Sequence, residues 1–204
     1  MLILNEITMH LKNAYSMNPD LFRENKLFFL QEALFHANRV IGAVKLGNEE
    51  LFAGFAASVT CCIITEDGVF SFAHAGNTRL YLLRTKNGDS NLLQLTKDAT
   101  KAQTLVDEGK LEPELYYSHQ DRLALTSGIG VAADPFIQTF EGNLKENDVL
   151  LLTSDGIHYA IRPEGIKNVI LASEGYEAAA ANLITGAKEM KYNDNMSALL
   201  VANF

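Results

Sequence analysis

Apolar side chains at Leu27, Leu30, Leu34, Ala37 and Ile41 recur in three- and four-residue steps, the spacing of one helical face. That stretch predicts a long helix. Ile3 to Tyr15 predicts an earlier one, ending before Asn18-Pro19, a pair that favours a turn. From residue 55 the period changes. The runs AASVTCCIIT and GVFSFAHA are rich in β-branched and aromatic residues, and EDG between them is a hairpin signal. RLYLLRT follows, then KNGDSN as another turn, then LLQLT. The expectation is an antiparallel meander whose almost unbroken apolar runs are buried on both faces.

Helical character returns at DATKAQTLVDEGKLEPELYYSHQDR, with Asp98 or Thr100 as N-cap and Gly109 as a stop. PFIQTFEG, DVLLLTS and MSALLVANF read as later strands. RPEGIKNVILAS and EGYEAAAANLITGAKEMK, between the last two, read as helices. Helices, then strands, then helices, then a final strand define an α+β protein, mostly antiparallel sheet with helices packed outside. The expected organisation is one domain over residues 1–204: a helical part at 1–50, the meander at 55–96, a segment at 97–122, and strands and helices from 123 onward.

Composition narrows the class. A chain of 204 residues, 48% hydrophobic and 21% charged, suits one globular domain with a core that needs no staples. A net charge of −8 argues against a nucleic-acid partner, which would need a basic face. The two cysteines, Cys61 and Cys62, are neighbours on a strand and point to opposite faces, so they read as small buried hydrophobes in a reducing compartment. The N-terminus shows neither a basic n-region nor a long apolar stretch, and no run reaches the roughly 18 residues of a membrane span. A soluble, cytoplasmic protein without a membrane partner is expected.

Two acidic sites carry the candidate chemistry. Asp155 ends the apolar run VLLLTS, and Asp194 opens DNMSALLV. Carboxylates at the ends of neighbouring strands can converge on one hard cation. Either one alone also reads as a turn or cap aspartate. In AHAGNTRLYLL a strand breaks at Gly76-Asn77 and another resumes at Arg79, which by itself describes a hairpin turn. His74 reads as an ordinary sheet residue, since no second His or Cys lies at ligand spacing. No GxSxG, P-loop, GxGxxG or HExxH occurs.

Taken in order, these segments resemble the bacterial branch of the protein phosphatase 2C-like family, the metal-dependent Ser/Thr phosphatases. AHAGNTRLYLL is similar to that family's segment around Gly-Asp-Ser-Arg, and QLTKDATKAQTLVDEGKL to its Leu-Thr-x-Asp-His and following helix. HQDRLALTSGIG resembles its Asn-x-Leu-Thr-x-x-Leu-Gly stretch. NDVLLLTSDGI resembles its Ser-Asp-Gly motif, NDNMSALLV its closing Asp-Asn strand, and LQEALFHANRVI its second helix. The resemblance implies an α-β-β-α sandwich: two antiparallel sheets flanked by helix pairs. It also implies a hydrolase in which two Mn²⁺ or Mg²⁺ ions aim a water at phosphoserine or phosphothreonine. Asp155 and Asp194 take the places of two metal ligands, with Asn77 and Gly156 as weaker candidates. The segment from Thr100 to His119 takes the place of the flap.

The family's opening Arg, Asn-Glu-Asp and Asp-Gly-x-Gly-Gly do not occur in the 204 residues. Asn77 stands where the family has the Asp of Gly-Asp-Ser-Arg, Ala99 where it has His, and Ala56 to Ser58 where it has Gly-Thr-Thr. The resemblance therefore implies an N-terminally shortened domain with half a metal centre, holding one weakly bound Mn or Mg ion and giving little or no turnover alone. The alternatives are an enzyme whose first strands lie outside this chain, a catalytically silent binding or regulatory relative (a pseudophosphatase in signalling), or a likeness of fold only. The expected partner is a phosphoprotein or a regulatory protein, or a second copy paired through uncovered sheet edges.

Overall fold

The computed structural model describes residues 1–52 and 54–202, the side chains of Glu49 and Leu51 excepted. Its helices are α1 (Leu2–Met17), α2 (Pro19–Glu24), α3 (Lys26–Leu46), α4 (Glu49–Phe52), α5 (Lys101–Asp107), α6 (Asp155–Ala172) and α7 (Tyr176–Glu189). Its strands are β1 (Val59–Ile64), β2 (Val69–Ala75), β3 (Arg79–Lys86), β4 (Asp89–Gln94), β5 (Gln138–Asn143), β6 (Val149–Thr153) and β7 (Ala198–Ala202). They form two sheets, ordered β1-β2-β5 and β4-β3-β6-β7. The chain divides into two compact units, residues 1–76 with 99–142 and residues 77–98 with 143–204. No helix among the described residues is long and apolar enough to cross a membrane.

In the first unit α1 and α3 lie against one face of the three-stranded sheet. Ile3, Ile7, Leu30, Leu34, Ala37 and Ile41 pack with Val59, Ala73 and Ala75, the inward period of α3 that the sequence spacing predicts. Asn18 does more than end α1: its side chain accepts from the Leu21 amide and caps the short α2, with Pro19 at the first helical position. The EDG hairpin forms as expected, Thr65 N donating to Val69 O at 2.9 Å and Gly68 supplying φ 81°. His74 is buried and wholly used in structure. Its Nε2 lies 3.1 Å from the Gly76 carbonyl and must donate there, so Nδ1 accepts from the Thr60 hydroxyl at 2.9 Å. The segment expected to be a flap holds α5, capped by the Thr100 side chain, and two short 3-10 turns at Pro113–Ser118 and Gln120–Leu123.

In the second unit β3, β4, β6 and β7 are antiparallel throughout. Asn87-Gly88 closes the β3–β4 hairpin with φ of 54° and 88°, the left-handed pair a two-residue turn demands. Tyr81, Leu83, Val149 and Leu151 point to the helix side and pack with Ile157, Ile166, Leu183 and Ala187. Leu80, Leu82 and Leu150 point the other way and are buried too, which explains the unbroken apolar runs of β3 and β6, whereas β4, expected to be buried on both faces, is largely exposed.

Two expectations need correction. The strands over 55–96 are two hairpins in different sheets, not one meander, because β3 pairs with β4 and β6 and not with β2. Gly76 is the leaving point. It holds φ 109°, a Cβ there would lie 2.2 Å from Ser58 Oγ, and its carbonyl is taken by the Ala99 amide, so nothing continues a tight hairpin. Helix α6 also begins at Asp155, about two turns before RPEG. It breaks at Arg162 (φ 63°, ψ 161°), where Pro163 forbids ordinary helix in the residue before it.

Candidate functional site

The apolar strand β6 runs straight into the first turn of α6, and Asp155 is that turn's first residue. Helix N-termini favour carboxylates because their amides are unpaired and the dipole is positive there. One Asp155 oxygen accepts from the Gly156 amide at 3.1 Å and the other from Asn77 Nδ2 at 3.3 Å. Burial raises the Asp155 pKa, the nearby Asp194 carboxylate raises it further, and these two hydrogen bonds only partly offset them.

Asp194 is exposed, and its Oδ1 accepts from the Asn195 amide at 2.7 Å. The structure thus brings Asp155, Asp194 and Asn77 together. Asn77 meets Asp155 through its amide nitrogen, a donor, so ligation would need its oxygen turned inward. Gly156 serves by having no side chain: a Cβ would lie 2.3 Å from the Asn195 carbonyl oxygen.

Several residues here escape local sequence patterns. Arg79 and Asp98 form a bidentate ion pair, Nε to Oδ1 and Nη2 to Oδ2, both at 2.8 Å, with exposures of 3% and 0%. Arg79 Nη1 also donates to the Tyr81 hydroxyl at 3.1 Å, and Gln94 and Tyr159 approach Asp98. Asp98, one of two N-cap candidates, is therefore the buried anion that neutralises Arg79, and Thr100 is the cap. Strand alternation puts 79 and 81 on one face, but no local pattern joins Arg79 to Asp98. His158 follows Asp155 by three residues and is fully buried. Its Nδ1 lies 3.0 Å from Thr153 Oγ1, and Nε2 has no partner among the described residues. Burial, and then the Arg79 charge, hold its pKa well below the usual histidine range, so it is neutral.

Chemically the site is a pair of carboxylates whose mutual repulsion a cation would relieve. The donors are hard oxygens, which fits Mn²⁺ or Mg²⁺ with water in the remaining positions. Among the described residues no cluster of three or more His, Cys, Asp or Glu is placed to hold a metal.

No family model matches the chain. It is 33% identical over 147 residues to the serine/threonine protein phosphatase PstP of Mycobacterium tuberculosis, a match covering 67% of this chain and 27% of that protein. The crystal structure of PstP superposes with TM-score 0.74 at 30% identity, covering 87% of this chain and 72% of that one. A second structure of the PstP catalytic domain, with TM-score 0.70, holds two manganese ions. The serine/threonine phosphatase Stp1 of Staphylococcus aureus matches at TM-score 0.82 and 22% identity over 98% of this chain and 76% of that one. Two antiparallel sheets with flanking helices match the fold of these phosphatases. The chain belongs to the protein phosphatase 2C-like family of bacterial Ser/Thr phosphatases. It spans 27% of PstP and 57% to 62% of the Listeria welshimeri and Streptococcus pneumoniae relatives it matches.

Proposed function

We propose that this chain carries half of a metal-dependent phosphoserine/phosphothreonine phosphatase centre, with little or no turnover as these 204 residues alone. The observation behind this is the pairing of a desolvated Asp155 with Asp194, and no third acidic ligand beside them among the described residues. Asp155 and Asp194 would hold one Mn²⁺ or Mg²⁺ ion. The ion, when bound, supplies Lewis acidity and a water of lowered pKa. Asp155 keeps one oxygen oriented by Gly156, and Asn77 donates to the other. A two-ion centre needs a carboxylate to bridge the metals at about 3.5–4 Å, and among the described residues no third His, Cys, Asp or Glu joins the two aspartates.

The same donor set favours a second reading, a silent relative that binds phosphoprotein or regulates a partner. Hydrolysis of a phosphopeptide with MnCl₂ separates the two. Mn²⁺-dependent turnover abolished by Asp155→Asn establishes the enzyme and ends the silent reading. Absent turnover, with saturable and phosphate-dependent peptide binding, does the reverse.

The partner is proposed to be a second copy of this chain. Among the described residues β1 (VTCCII) and β7 (ALLVA) each pair on one side only, and neither strand holds a charged residue or a proline. β4 (DSNLLQ), by contrast, is a polar edge. Light scattering should show a dimer at micromolar concentration, and a monomer would exclude this partner.

A further inference from the structure

Ser154 occupies the N-cap of α6, where a serine hydroxyl ordinarily accepts from its own helix, worth about 1 kcal/mol. It makes no such bond. Its hydroxyl crosses instead to the loop before β7, donating to the Asn195 carbonyl at 3.2 Å and accepting from the Ser197 amide at 2.9 Å. The Ser154 amide adds a bond to the Ser197 carbonyl at 3.0 Å. Two residues on, Gly156 lets the same Asn195 carbonyl come within a distance no side chain would permit. Residues 195–197 are therefore gripped by 154 and 156, with Asp155 between the grips and Asp194 just before the gripped segment.

We propose that Ser154 and Gly156 form a clasp that fixes the 194–197 loop against the first turn of α6 and so sets the spacing of the two carboxylates. The inference rests on the metal site of the preceding reading. Ser154 touches neither carboxylate; it is a positioning residue. Two like charges side by side move apart unless something rigid holds them, and a hydroxyl bonded to two backbone groups of one loop does that. Preorganised ligands bind a cation more tightly because less order is lost on binding. The diverted cap has this return.

Calorimetric titration of the full chain with MnCl₂, amide hydrogen exchange in EDTA and thermal unfolding in EDTA test the clasp on Ser154→Ala, Ser154→Thr and Asp155→Asn. Ser154→Ala should weaken Mn²⁺ binding about tenfold, the usual size for a ligand-orienting partner. It should also speed exchange at Met196 and Ser197 while the amides of α7 keep their protection. Ser154→Thr, which keeps the hydroxyl, should restore both. Wild-type Mn²⁺ affinity in Ser154→Ala, or a loss that Ser154→Thr does not recover, overturns the clasp. If the wild type binds no Mn²⁺, or Asp155→Asn binds it equally well, the metal reading fails. The exchange arm then decides the clasp separately: unchanged exchange at 196–197 in Ser154→Ala overturns it, and faster exchange upholds it as a loop anchor. Should Ser154→Ala unfold, Gly156→Ala is the second probe, and wild-type exchange or affinity there has the same overturning force.

Discussion

Asp155 is held ionised at a cost that a counter-charge would offset. Its carboxyl is partly desolvated and faces Asp194, so ionisation at neutral pH opposes folding. A raised folded-state pKa means the contribution is most favourable below about pH 4 and is lost as pH rises through the folded value. Asp155→Asn should therefore raise the metal-free Tm at pH 7 by a few degrees while abolishing any Mn²⁺-induced rise. A lower Tm in EDTA would show that the carboxylate is structural. His158 works with the opposite sign. Buried neutral beside Arg79, it resists a proton that the unfolded chain accepts near pH 6.5. Stability should fall as pH drops below that value. Between pH 7.5 and 5.5 this one group costs about 1.4 kcal/mol. Urea unfolding at the two pH values should show His158→Phe losing less than the wild type by about that amount. Equal losses would place a compensating anion against the ring.

At the scale of elements, what was legible in the sequence was what repeats locally. The period of α3 and the hairpins closed by EDG and Asn87-Gly88 follow from spacing and turn chemistry alone. The change of sheet at Gly76 does not, because it depends on Ser58 lying where a Cβ would go. Asp155 and Asp194 were legible as strand-end carboxylates, and their convergence was legible through the family resemblance. The ion pair between Arg79 and Asp98 was not, because its partners lie 19 residues apart on different segments and no local pattern joins them. That pair ties β3 to the chain after β4 with almost no exposure. A lone charge left there has no water to solvate it, so Asp98→Asn should cost about 3–5 kcal/mol. The double variant Arg79→Met with Asp98→Leu should recover much of the loss, as measured by urea unfolding with an unchanged m-value. A single-variant loss below about 1 kcal/mol would mean that the Tyr81 hydroxyl and the Tyr159 ring stabilise Arg79 without the carboxylate.

For the whole molecule the decisive feature is the contrast between edges. Globular proteins protect edge strands with charge, proline or bulges, because an exposed row of amides and carbonyls recruits another strand. β4 follows this rule with Asp89, Ser90 and Asn91. β1 does not. It presents Cys61, Cys62 and Ile63 half-buried and Ile64 at 39% exposure, and both thiols are pushed up to about 12 by burial, so neither is a charged guard. A two-fold pair of β1 strands would satisfy the free edge in each copy with the same surface, the isologous geometry of most homodimers. Ile64→Lys puts a like charge from each copy at that seam, and like charges brought together across paired strands repel. The substitution lies on a side chain already in contact with water, so the monomer fold should survive it. The expected result is a monomer by light scattering at a concentration where the wild type is a dimer, with unchanged far-UV circular dichroism. If Ile64→Lys stays dimeric, the contact runs through the equally unguarded β7, and Leu199→Lys, at 59% exposure, should break it instead.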